Sequence, residues 1–273
     1  MIVAMHFIPE TTLQDALFDS VIDAARAAGA KILEIYATDF EVRGKADTSP
    51  VTLADEAAEA VILPALRRHA PDLSAISEEE ASKGISPQAG ERFWLVDPLD
   101  GTKEFISRNG EFTVNIALIE RGEPVAGVVY APALDRLFAG RLCADGSREA
   151  FMEEKGQRRA IRCRSVPAEG LTVVASRSHG DAAALDAFLA GRKVASVANA
   201  GSSLKLCMVA TGDADLYPRL GRTMEWDIAA GHAVLRAAGG EVRTLDGTPL
   251  RYGKPGLENP HFVAGSAAVS SEN

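Results

Sequence analysis

Asp97-Pro98-Leu99-Asp100-Gly101-Thr102-Lys103-Glu104-Phe105, DPLDGTKEF in one-letter code, follows directly on the apolar run at 93–96. A strand exit needs only a turn, and Asp, Pro and Gly are ordinary turn residues. Two carboxylates exceed that need. Pro98 disfavours the α region for Asp97, so Asp97 is expected to be extended. The bend then brings Asp97, the Leu99 carbonyl and Asp100 towards one point. Gly101 admits backbone conformations closed to other residues, or the close approach of an anion. Thr102 is placed to cap a helix from Lys103 onwards. Hard oxygen ligands beside exposed amides suit Mg²⁺ carrying a phosphate. Taken alone, the stretch leaves two readings open, a plain turn and a cation site.

Outward from this junction, the upstream sequence is helical. Leu13, Leu17, Val21, Ala25, Ala28 and Ile32 recur at helical spacing and predict a helix from Thr12. A second helix is expected near Thr52, with Asp55 three positions later completing a cap. Pro64 predicts a kink or a boundary. Downstream, 112–119 and 125–130 read as strands separated by the turn ERGEP, and 134–139 and 150–152 add short ones. Beyond position 160, strands at 171–176, 194–197 and 215–217 alternate with helices around 182–189 and 204–210. A last long helix starts near Asp227 and stops at the glycine pair 239–240. The expected division is an α+β domain over 1–160 and an α/β domain over 161–273.

Composition narrows the class. The 273 residues are 47% hydrophobic, enough for a large core or for two domains sharing a cleft. No apolar span has membrane length, and no basic start with a hydrophobic run marks a secretion signal. Cys143, Cys163 and Cys207 form no CxxC pair, so a reducing cytosol is expected. A formal charge of −9, from 38 acids and 29 bases, disfavours a nucleic-acid surface. It leaves room for a small anion, because a local cation cluster can reverse the field.

Glu78, Asp97, Asp100 and Asp227 each stand where one element gives way to another. Each also has an ordinary reading: Asp227 as a cap near a helix amino terminus, Glu78 with Glu79 and Glu80 as solvated loop charges. Spacing alone does not bring them together.

DPLDGTKEF together with EWDIAAGHAVLRAAGG (225–240) resembles the magnesium-dependent, lithium-sensitive inositol monophosphatase superfamily, and within it the bacterial CysQ branch of 3′(2′),5′-bisphosphate nucleotidases. The ordered segments VTLADEAAE, SEEE, RNGEFTVNIALIERGEPVAGVVYAP, SRSH and GSSLKLCMVATGDADLYPR extend the likeness over most of the chain. The resemblance implies a layered αβαβα sugar-phosphatase fold with the active site between two subdomains. It implies two or three Mg²⁺ ions held by Glu78, Asp97, the Leu99 carbonyl, Asp100 and Asp227. Asp55 supports Thr102 and, with Glu78, a nucleophilic water. Gly101 and Thr102 contact the phosphate, and attack is in-line with no phosphoenzyme. Trp226 and Phe105 are read as packing, and neither His179 nor His232 has a triad around it.

The resemblance further implies a bisphosphate nucleotide substrate. Lys205 and Arg219 are expected to meet the phosphate that is not cleaved, and Ser176 and His179 to lie near the nucleotide. The expected reaction is hydrolysis of adenosine 3′,5′-bisphosphate to AMP and phosphate, in support of sulfur assimilation, with 3′-phosphoadenylyl sulfate a further candidate. An inositol-phosphate or other sugar-phosphate phosphatase is the first alternative, and a non-enzymatic, metal-dependent phosphate-binding protein the second. A cytoplasmic location follows, with peripheral contact at the inner membrane compatible with the branch. Monomer and homodimer both stay open.

Overall fold

The structure, a computed structural model, describes residues 15–38, 50–85, 88–176 and 182–266. Helix α1 (Asp15–Tyr36) buries Val21, Ala25, Ala28 and Ile32, the stripe its spacing predicts; the expected start at Thr12 lies outside the described residues. Helix α2 (Pro50–His69) begins two residues before Thr52, so Thr52 and Asp55, expected at its cap, both lie within the helix. Pro64 does not end it. Proline removes one helix donor, but Ile62, Leu63 and Leu66 are buried beside it, and their packing carries the helix through.

Strand β1 (Ser74–Ser77) leads into a short helix α3 (Glu78–Ser82), so the SEEE acids are helical rather than loop residues. The first sheet continues with β2 (Arg92–Asp100), β3 (Thr113–Glu120), β4 (Glu123–Ala131), β5 (Arg136–Leu142), β6 (Arg148–Glu154) and β7 (Gln157–Ala160). These strands lie side by side in chain order. Strand β1 is parallel to β2, and every later pairing is antiparallel. Both faces of its centre are buried, which is why β3 and β4 read as continuous apolar runs instead of alternating ones. The period of two still sorts the side chains. Trp94, Val114, Ile116, Leu118 and Val128 join α1 and α2 on one face, while Phe93, Leu95, Ala117 and Val129 face the other.

The second sheet contains β8 (Leu171–Ser176), β9 (Val194–Ala200), β10 (Leu216–Arg219), β11 (Gly240–Thr244) and β12 (Phe262–Ser266). Their order is β11-β12-β10-β8-β9, with β8 parallel to β9 and β10 and β12 antiparallel to its neighbours. Helices α6 (Leu204–Thr211) and α7 (Glu225–Ala237) lie between the sheets, and α5 (Ala182–Leu189) packs Phe188 and Leu189 on the outer face of the second. The five layers are helix, sheet, helix, sheet, helix, as expected. Strand β10 starts at Leu216 rather than Asp215, and β7, β11 and β12 were not expected.

Helix α7 sits unusually near the first sheet. A Cβ on Gly127 would lie 2.5 Å from the Ala230 carbonyl oxygen and 2.8 Å from the Ala233 Cβ. Gly127→Ala should therefore cost about 2–3 kcal/mol through overpacking, read as a lower urea midpoint with unchanged slope. A variant as stable as wild type would mean that α7 does not pack this closely.

Candidate active site

The opening motif does not form a turn. Its first four residues, to Asp100, remain in β2, interrupted by a bulge. Asp97 pairs with Asn115 and Asp100 with Thr113, so three steps on β2 match two on β3. One extra residue is accommodated there. In a regular strand, residues three apart point to opposite faces; the bulge re-aims one of them, and Asp97 and Asp100 line the same cleft. Pro98, which has no N–H to give a ladder, falls inside the irregularity. Gly101 follows with φ 102°, and Thr102 begins the short helix α4 (Thr102–Ile106).

Oxygens of Glu78, Asp97 and Asp227 lie within 4.8 Å of one another. They arrive from three places: the start of α3, the bulged β2 and the first turn of α7. Asp227 also does the work of a cap, as the ordinary reading expected, because its Oδ2 accepts the Met224 N–H at 2.8 Å. The Leu99 N–H donates to Asp97 Oδ1 at 3.1 Å, and Asn115 Nδ2 donates to Asp100 Oδ2 at 3.4 Å.

Crowding of acids away from water favours their protonated forms. Burial first, then Glu78, Asp100 and Asp227, raises Asp97 well above the usual carboxylate range. Burial and Asp100 push Glu78 to about 7, and burial and Asp227 push Asp100 to about 7. Asp227 reaches about 6, chiefly by burial, with the Met224 amide opposing. Asp55 does not line the cleft. It lies behind it, buried, and is pushed to about 8 by burial and by Glu79 and Glu78. The spacing of the three clustered oxygens suits a shared cation, whose ligands sit 2.0–2.1 Å from Mg²⁺. An all-oxygen donor set without Cys or His favours a hard ion. The residues therefore fit divalent Mg²⁺-type cations, and the repulsion among them is what such ions relieve.

The cleft holding this cluster has a volume of ≈ 510 Å³ and opens between the two sheets, at the carboxyl ends of β8 and β9. Leu99, Gly101, Thr102 and Ser176 line it. Three cations line it too, Lys205, Arg219 and Arg222. Lys205 is no surface cation. It is buried, donates to the carbonyls of Ser202 (2.6 Å) and Ala200 (3.3 Å), and lies 5.6 Å from the Tyr217 ring centre. Burial lowers its pKa to about 8, against the pull of Asp100. Arg219 is 9% exposed, with one donor on the Arg222 carbonyl at 2.8 Å and its Nε without a partner. His179 lies outside the described residues. A larger cavity, ≈ 1050 Å³, opens beside Arg162, Arg164, Arg192 and Lys193, but no carboxylate lines it.

Arg222 lines the cleft, and Asn115, Glu111 and Ser203 bond to residues that do, Asp100, Gly201 and Asp227; none of the four was singled out from sequence. Asn115 did carry a signal, a lone amide within the apolar run FTVNIALI, since a buried polar group requires a partner. Trp226 and Phe105 are core residues, as expected. His232 is buried, shares a 2.8 Å hydrogen bond with the Tyr252 hydroxyl, and is held neutral by burial and Arg236, which press its pKa to about 3. Among the described residues no helix is long and apolar enough to cross a membrane.

Comparison with known proteins agrees with this geometry. The inositol monophosphatase family model matches residues 14–270. The chain is 48% identical to the 3′(2′),5′-bisphosphate nucleotidase CysQ of Escherichia coli (strain K12), over 90% of this chain and 98% of that protein. Among solved structures, it is similar to CysQ from Bacteroides thetaiotaomicron, described as a bacterial member of the inositol monophosphatase family. There the TM-score is 0.76 with 38% identity, covering 93% and 98% of the two chains. An inositol monophosphatase from Anabaena superposes with a TM-score of 0.73 at 29% identity, covering 95% and 94%.

Proposed function

Because the chain belongs to the inositol monophosphatase family, whose enzymes are metal-dependent, we propose that it hydrolyses the 3′-phosphate of adenosine 3′,5′-bisphosphate to AMP and phosphate. The observation that carries the reading is a cleft lined by both an acidic cluster and buried cations. Carboxylates gather there for cations that receive the scissile phosphate, and buried Arg219 and Lys205 in the same lining are available to a second anionic group. The relatives named 3′(2′),5′-bisphosphate nucleotidase support it. The reading extends to 3′-phosphoadenylyl sulfate as a further substrate, since it carries a sulfated 5′-phosphate where the bisphosphate has its second anion.

In this account Glu78, Asp97, the Leu99 carbonyl, Asp100 and Asp227 hold two or three Mg²⁺ ions. Bound there, the ions supply Lewis acidity to the phosphoryl oxygens and to the departing alkoxide. The chain does the rest by positioning. Thr102, exposed to the cleft at the start of α4, aims a water at phosphorus in line with the 3′-oxygen, with Glu78 and Asp55 behind it. Amides of Gly101 and Thr102 steady a non-bridging oxygen. Arg219 and Lys205 fix the other end of the nucleotide, and Ser176 borders it.

A substrate panel tests the proposal: adenosine 3′,5′-bisphosphate, its 2′,5′ isomer, inositol 1-phosphate and fructose 1,6-bisphosphate, with and without Mg²⁺. The bisphosphate nucleotides should lead by kcat/KM. Inositol 1-phosphate leading would reject the substrate assignment, and no release from any ester would reject the enzyme. Arg219→Ala should lower kcat/KM for adenosine 3′,5′-bisphosphate about 10- to 100-fold, the value of a hydrogen bond to a charged group. Its effect on a 3′-monophosphate should be much smaller. Equal losses on both would remove Arg219 from selectivity.

A further inference from the structure

Glu111 lies outside the acidic cluster, yet it grips the turn that bonds to Asp100 and Asp227. Residues 201–203 join β9 to α6, and Ser202 there has φ 41°, a left-handed conformation unfavourable to any residue but glycine. Two bonds from Glu111 hold it. The Gly201 N–H donates to Glu111 Oε2 at 2.8 Å, and the Ser202 hydroxyl donates to the Glu111 carbonyl at 2.8 Å. Glu104 closes the turn from beneath, since a Cβ on Gly201 would lie 2.6 Å from Glu104 Cγ. Lys205 grips the turn from the α6 side through the Ser202 and Ala200 carbonyls.

What this turn presents is aimed at the cluster. The Ser203 N–H donates to the Asp100 carboxylate. The Ser203 hydroxyl donates to the Asp227 carbonyl at 2.5 Å. Gly201 and Ser202 themselves line the cleft. Glu111 sits between α4 and β3 on the first sheet, whereas residues 201–203 leave the second. The contact thus straps the part of the chain bearing Glu78, Asp97 and Asp100 to the part bearing Asp227.

We propose that Glu111 is a positioning residue for the phosphatase reaction. Its carboxylate holds the 201–203 turn in its left-handed form, and Ser203 thereby sets Asp100 and Asp227 at the spacing that cations require. This rests on the proposed function, but its cation-binding arm can be read without turnover.

The test uses the full chain and four variants, with Mn²⁺ titrated by calorimetry in the absence of substrate and adenosine 3′,5′-bisphosphate used for kinetics. Glu111→Ala should weaken Mn²⁺ binding and lower kcat/KM by about 10- to 100-fold, the cost typical of losing a group that orients a ligand. The kinetic loss should fall on kcat. Glu111→Gln, which keeps an acceptor for the Gly201 N–H, should stay within a few-fold of wild type. Glu111→Ala combined with Ser202→Gly should regain part of the loss, because glycine takes positive φ without Glu111. If Glu111→Ala does not fold, Glu111→Asp, whose shorter side chain withdraws from Gly201, replaces it with the same expectations. Wild-type Mn²⁺ affinity in the Ala variant would overturn the proposal. So would equal losses in the Gln variant and the double variant, which would make Glu111 a stability residue. A wild-type protein inactive on every phosphate ester would defeat the functional reading instead, and the Mn²⁺ arm would still decide Glu111.

Discussion

Asp97→Asn should lower kcat/KM for adenosine 3′,5′-bisphosphate at least about a thousandfold, roughly 4 kcal/mol of transition-state stabilisation. Asp97 is 1% exposed and takes part in the clustered triad, so no solvent-borne ligand can replace it. The amide keeps the size and one oxygen but removes the charge that a shared divalent cation needs. The loss should be deepest at limiting Mg²⁺. The same substitution should stabilise the cation-free protein, because an amide escapes the cost of protonating a carboxylate on burial among Glu78, Asp100 and Asp227. Activity down with thermal stability up separates a ligand from a core residue. Near-normal turnover at limiting Mg²⁺ would remove Asp97 from the reaction.

Chelation of divalent cations should make the folded protein progressively less stable as pH rises from about 4 to about 8. Folding raises Asp55 to about 8, Glu78 and Asp100 to about 7, and Asp227 to about 6. Each carboxyl binds its proton more tightly folded than unfolded, so the unfolded state carries fewer protons through this window. The contribution of each is complete below its unfolded pKa and is lost as pH climbs through the folded one. The rise of Asp55 from 3.8 to about 8 alone carries several kcal/mol, about 10 °C of Tm in a chain of this length. With saturating Mg²⁺ the trend should flatten or reverse, since cation binding displaces those protons. Melts across pH, with EDTA and with Mg²⁺, check both signs. A cation-free Tm that rises over the same interval would show that the acids do not face one another.

Much of this arrangement was legible in the sequence, and for identifiable reasons. Runs at 112–119 and 125–130 are apolar because both faces of the first sheet are buried, so they could be read as strands without knowing the layers. By contrast, β7 is polar and exposed along its length, with no hydrophobic pattern to mark it. Glu78, Asp97, Leu99, Asp100 and Asp227 were named from motif resemblance, and the cleft gathers all five. How they converge could not be read. Asp97 and Asp100 share a cleft only through one extra residue in β2, and bulges leave no periodic trace. The Glu111–Gly201 bond joins residues 90 apart in sequence across the cleft, and each looks ordinary locally. The burial of Lys205 could not be read either, because the neighbouring letters cannot show that two carbonyls and an aromatic ring enclose its amine.

Anomalous diffraction from crystals grown with Mn²⁺, AMP and phosphate tests the central claim most directly. The account predicts a peak between the carboxylates of Glu78, Asp97 and Asp227, a second beside Asp100, and phosphate oxygens bound to both, with the nucleotide reaching towards Arg219. Manganese bound elsewhere, or phosphate seated away from these acids in a fully occupied crystal, would contradict it.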